Sequence, residues 1–143
     1  MPRNLIVAKI YLWICTLTFL GLGLLFISNP KLVKSVDIEL TTPTAMADIR
    51  ADYGGCILGI GIFLAWCGIN DTRILSGLLC TAFVFTGYAT ARLVSLAVDG
   101  QPKSIIYYLI AVEALGAVLA FAMIKPLRKT QSTPTGEEHI PIP

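Results

Sequence analysis

Four charged side chains occupy places where charge is expensive. Arg50 and Asp52 lie in the opening turns of a long apolar run; Arg92 is the only charge between Ile74 and Val98, and Glu113 the only one between Ser104 and Ile124. In a bilayer, a charge facing lipid at such depth costs at least about 2.5 kcal/mol on insertion scales, so each should face protein or trapped water. Tyr88, Arg92 and Ser95 follow one another at spacings of four and three, which places them on one face of a helix; Arg50, Tyr53 and Gly54 share a face in the same way. Two readings follow. One is a polar pocket bounded by Arg50, Asp52, Tyr53, Tyr88, Arg92, Ser95 and Glu113, able to bind an anionic or amphipathic ligand or to relay protons. The other is an ion-pair network that fixes how the helices pack.

Other chemistry has little to stand on. The single histidine, His139, lies in a polar C-terminal stretch, so no histidine-based triad, haem ligation or His-rich metal site is expected. Asp52 and Glu113 are accompanied by arginines that would repel a cation. Cys15, Cys56, Cys67 and Cys80 all fall in apolar runs with no CxxC spacing, and are expected as small apolar helix residues without disulfides. No catalytic residue, cofactor or metal is expected. A net charge of +2 and a pI near 8.4 are too weak to point to nucleic acid, and the glycines do not form a dinucleotide or phosphate loop.

The elements that must position these residues are long and apolar. Of 143 residues 55% are hydrophobic and only 14% charged, with mean hydropathy +0.75; a water-facing surface would need nearer a quarter charged. Four runs, about 5–28, 43–69, 74–98 and 104–124, are each long enough to cross roughly 30 Å of hydrocarbon at 1.5 Å per residue. Lipid cannot satisfy exposed backbone groups, so the runs should be helices. The expected fold is all-α, a membrane-spanning four-helix bundle over residues 1–124, with 125–143 as a polar, disordered cytoplasmic tail. The first run is too long for a signal-peptide core and reads as a retained helix. Asn29-Pro30 should stop it, and Thr42-Pro43 should start the second as N-cap and first helical residue. Between them, Pro30 to Thr42 suits a short strand by the alternation at 36–40, or a surface helical turn by the spacing of Leu32, Val33 and Val36.

On this reading Arg92 lies roughly 9–10 Å below the end of the third run and Glu113 roughly 13 Å below the start of the fourth. Those ends face the same side on antiparallel neighbours, so pairing is the expected solution. Small residues form a second pattern. Ala51, Gly55 and Gly59 recur every four residues, Gly54 and Gly61 flank them, and Gly87/Ala91 and Gly116/Ala120 repeat the spacing. Such stripes let membrane helices approach closely, within the chain or in a homo-oligomer.

Orientation follows from basic residues near helix ends. Arg3, Lys9, Arg73, Lys125, Arg128 and Lys129 lie on the side of both termini, against Lys31, Lys34 and Lys103 opposite. Six against three places both termini in the cytoplasm.

The stretch from Asp48 to Gly61 resembles the signature of a bacterial family of small four-helix membrane proteins catalogued only as a domain of unknown function. The pattern R-x-x-Y-G-G-x-x-x-G-x-G is carried by Arg50, Tyr53, Gly54, Gly55, Gly59 and Gly61. A later G-x-x-x-x-R falls on Gly87 and Arg92, D-G-x-P on Asp99, Gly100 and Pro102, and an acid inside the last helix on Glu113. The resemblance covers roughly Leu5 to Ile124 and implies a prokaryotic plasma-membrane protein, the bacterial inner membrane being its expected site. It brings no activity. The expected role is a non-enzymatic accessory or assembly subunit, or a binder of a small amphipathic ligand, with membrane lipid and a homo-oligomeric or membrane-protein partner around it. The alternative is an oligomeric transport or proton-coupled component.

Overall fold

Chains that must hide every backbone polar group from lipid close those bonds within each segment, and this one does so throughout. The structure, a computed structural model, describes residues 3–131, and among these every regular element is helical. Helix α1 (Arg3–Ser28) ends at Asn29-Pro30. A 3₁₀ helix over Pro30–Val36 follows, closed by Asp37 in the left-handed region at φ 63°. The helical turn therefore forms here and the strand does not; an isolated strand would have no partner for its backbone groups. Thr42 then caps α2 (Pro43–Ile49), its Oγ accepting from the Ala45 N–H at 3.1 Å. The helix continues as a π-helix over Arg50–Cys56 and as α3 (Ile57–Ile69). A short turn, Asp71–Arg73, leads to α4 (Ile74–Val98), and Gly100 at φ +95° turns the chain into α5 (Ser104–Gln131). Four segments, Arg3–Ser28, Pro43–Ile69, Asp71–Val98 and Ser104–Leu127, are long and apolar enough to cross a membrane.

The last helix runs past the expected boundary at Ile124. Residues 125–131 are helical, through Pro126, rather than part of a disordered tail. Leu127 explains why: it is 2% exposed and joins Ile124 in the main core, so apolar burial outweighs the locally polar composition. Residues 132–143 of the expected tail lie outside the described residues.

The helices pack as two antiparallel pairs, α1 with the π-helix and α3, and α4 with α5. The first pair is held by a seven-residue register. Gly54, Gly61 and Gly68 face Ile27, Leu20 and Trp13 respectively, close enough that a Cβ would fall 2.6, 2.8 and 3.2 Å from atoms of those residues. At Gly23, in the same interface, a Cβ would fall 2.6 Å from the Leu58 backbone nitrogen. These glycines replace side-chain bulk by direct backbone contact, the main means by which helices associate without a hydrophobic drive.

Gly55, Gly59 and Gly87 make no close approach within the chain: no other helix lies within 4 Å of where a Cβ would sit on any of them. For Gly55 and Gly59 the reason is rotational: close contact with α1 recurs at seven residues, so the stripe at four-residue spacing turns outward. Gly116 instead lies against Phe85, and its carbonyl accepts from the Tyr11 hydroxyl at 2.7 Å, tying α1 to α5.

The two pairs meet over a core of Ala8, Leu12, Cys15 and Phe19 from α1, Leu64 and Cys67 from α3, Ile74 and Leu78 from α4, and Ile124 and Leu127 from α5. These residues gather toward the end bearing the 70–73 turn. At the opposite end the π-helix packs chiefly on α1 and its own neighbours.

Candidate functional site

At that opposite end the membrane-embedded charges come together. Arg92 on α4 donates from Nε to both carboxylate oxygens of Glu113 on α5, at 3.1 Å each. The Glu113 side chain is 9% exposed and that of Arg92 29%. The antiparallel run of α4 and α5 places the two at matching depth, and a lone charge there would be far costlier than the pair. One N–H satisfies the acid, so the terminal nitrogens of Arg92 make no hydrogen bond among the described residues.

Tyr88 lies one turn before Arg92 on the same face. Its hydroxyl is within electrostatic range of Cys56, Glu113, Tyr53 and Arg92. Tyr53 is 38% exposed and sets its ring edge-on to Phe26 of α1, centroids 5.7 Å apart. Arg92 and Glu113 thus form an ion pair between α4 and α5, with Tyr88 one turn along from Arg92 and Tyr53 of the π-helix within electrostatic range of Tyr88. Together these four bring a neutralised ion pair, two phenol hydroxyls and a guanidinium edge with donors to spare.

Three of the candidate residues do not join them. Arg50 donates from Nε to the Ile27 carbonyl at 3.1 Å, closing one of the orphan carbonyls of α1's last turn and placing a cation at the negative end of that helix. Asp52 is exposed and makes no hydrogen bond or ion pair among the described residues. Ser95 donates to Asp99 at 2.6 Å, one turn on along its own helix. The π-helix accounts for part of this sorting. Its wider turn changes which way successive residues point, so Arg50 reaches α1 and Gly54 sits against Ile27, while Asp52 and Gly55 turn outward. Composition carries no sign of that turn.

Other polar contacts also escaped sequence reading. Lys9 pairs with Asp71 of the 70–73 turn, and Lys103 with Asp37 of the long loop. The loop is thereby joined to the start of α5. Opposite charges on one side of the membrane were the available signal, but each side offered several pairings. Arg73 stacks on Trp66, its guanidinium carbon 3.9 Å from the ring centroid. Among the described residues no group of three or more His, Cys, Asp or Glu is placed to hold a metal ion.

Four long apolar helices enclosing an ion pair within their length define a multi-pass, all-α membrane protein. The chain belongs to the family described as a domain of unknown function (DUF4345), whose family model matches residues 7–124. No curated protein and no solved structure matches it.

Proposed function

We propose that this is a non-enzymatic membrane protein that binds a small amphipathic ligand at the Tyr53–Tyr88–Arg92–Glu113 cluster. The observation that carries this reading is the one-sided use of Arg92. Glu113 takes only its Nε hydrogen, and the two terminal amino groups make no hydrogen bond among the described residues. A buried structural pair would be expected to use the guanidinium fork in a bidentate way. Here a single N–H is used, with Tyr88 one turn away on the same helix face, a mixture of apolar body and few polar groups that suits an amphiphile's head. The absence of a nucleophile–base pair around the cluster argues for binding over catalysis.

In the same proposal both termini lie in the cytoplasm and the membrane is a bacterial inner membrane, supported by the basic residues beside both termini and the 70–73 turn. The cluster then opens toward the outer leaflet.

The test is extraction and mass-spectrometric identification of amphiphiles retained by the full-length protein purified in mild detergent. The wild type should carry one such molecule near stoichiometry. The double variant Arg92→Leu/Glu113→Leu, which strands no charge, should fold and lose it. An unchanged complement of bound molecules in a folded double variant would remove the basis for the reading.

A further inference from the structure

The end of the molecule away from that cluster carries a second arrangement. Gly59, Ile62, Phe63 and Trp66 on the outward face of α3 line a shallow, open groove. Gly59 makes it: nothing lies within 4 Å of its missing side chain. Phe63 and Trp66 form its wall, their rings tilted at 34° with centroids 5.9 Å apart.

Trp66 links this groove to Arg73, whose guanidinium lies over its ring, 3.9 Å from the centroid. The Arg73 N–H donors make no hydrogen bond or ion pair among the described residues. Asp71, two residues away, is taken by Lys9. It is the only acid among the described residues at this end, whereas Arg3, Lys9, Arg73 and Lys125 all lie here. An apolar groove on α3 therefore lies beside a guanidinium that has no acidic partner among the described residues, at the level where a helix passes into the headgroups.

We infer that this face is a binding site for one anionic phospholipid of the leaflet on the side of the 70–73 turn. Its phosphate sits on the edge of Arg73, which suits bidentate recognition of phosphate oxygens. One acyl chain lies along Trp66, Phe63 and Ile62 into the gap at Gly59. The Arg92–Glu113 cluster has no part in it.

Native mass spectrometry of the full-length protein, titrated with phosphatidylglycerol and with phosphatidylcholine of identical chains, tests the assignment. The wild type should bind phosphatidylglycerol about tenfold more tightly. Arg73→Gln should weaken that lipid about tenfold, the effect of one charge-assisted hydrogen bond, and abolish the preference. Gly59→Leu should weaken both lipids alike, because it fills the groove without touching the charge, and free space at Gly59 lets the variant fold. Arg92→Leu/Glu113→Leu should leave this binding unchanged, which separates failure here from failure of the other site. Equal affinity for the two lipids in the wild type, or wild-type binding by a folded Arg73→Gln protein, would overturn the site.

Discussion

Arg92 and Glu113 meet through a single N–H shared between two carboxylate oxygens at 3.1 Å, with the acid almost wholly enclosed between α4 and α5. The two side chains are therefore mutually dependent. Arg92→Leu or Glu113→Leu alone strands a charge in apolar surroundings, at roughly 2.5–3.5 kcal/mol on insertion scales. Each single variant should lose folded yield and melt lower, while the double variant recovers part of the loss. A double-mutant cycle on thermal stability in detergent should show coupling above about 1 kcal/mol; additive losses would mean that the pair does not act as one.

Packing in the first helix pair gives a sharper contrast. A side chain on Gly61 would meet the Leu20 backbone nitrogen at 2.8 Å, and one on Gly54 the Ile27 backbone as well as its side chain. Backbone cannot step aside, so Gly61→Leu or Gly54→Leu should cost at least about 1–3 kcal/mol, the range for overpacking. Gly55→Leu should melt close to wild type, since no neighbouring helix is near. Equal losses at Gly55 and Gly61 would show that the outward stripe is also packed, for instance in an oligomer.

Tyr11 joins the two helix pairs by its hydrogen bond to the Gly116 carbonyl. Tyr11→Phe keeps the ring and removes the donor. The expected loss is about 0.5–1.5 kcal/mol, read as a lower melting temperature. No change would mean that the carbonyl, already bonded within α5, gains nothing from the second donor.

Topology follows from the proposed orientation. A cytoplasmic reporter fused to the C-terminus should be active, and an export-dependent reporter inserted near Val36 should also be active. Cytoplasmic activity from the Val36 insertion would reverse the assignment of sides and the leaflet given to each site.

The residues that set the number of spans and all of their limits but the last could be read without coordinates. Long apolar runs, Asn29-Pro30, Thr42-Pro43 and the glycine turn at Gly100 act locally, through backbone sterics and the demand that lipid makes on every N–H and C=O. The meeting of Arg92 with Glu113 was legible for the same kind of reason, since depth along an antiparallel hairpin is fixed by residue count and unpaired charge is costly.

Rotation about each helix axis was not legible, and it decided the rest. Whether close contact falls on Gly55 and Gly59 or on Gly54, Gly61 and Gly68 depends on a shift of one residue, about 100° of turn, in runs that are apolar all round and so carry no amphipathic stripe to mark the inner face. The π-helix at Arg50–Cys56 adds to that rotation by a backbone choice unmarked in composition, and so sends Arg50 to the end of α1 and leaves Asp52 outside the cluster. Leu127 shows the same limit in another form: its burial extends α5 into a polar stretch, because the core it shares with residues of the other helices supplies what local composition lacks. The chain alone determined how many times it crosses and which charges must be compensated. Only tertiary packing decided which face of each helix does the work, because in lipid that choice rests on shape and backbone contact rather than on a division between apolar and polar sides.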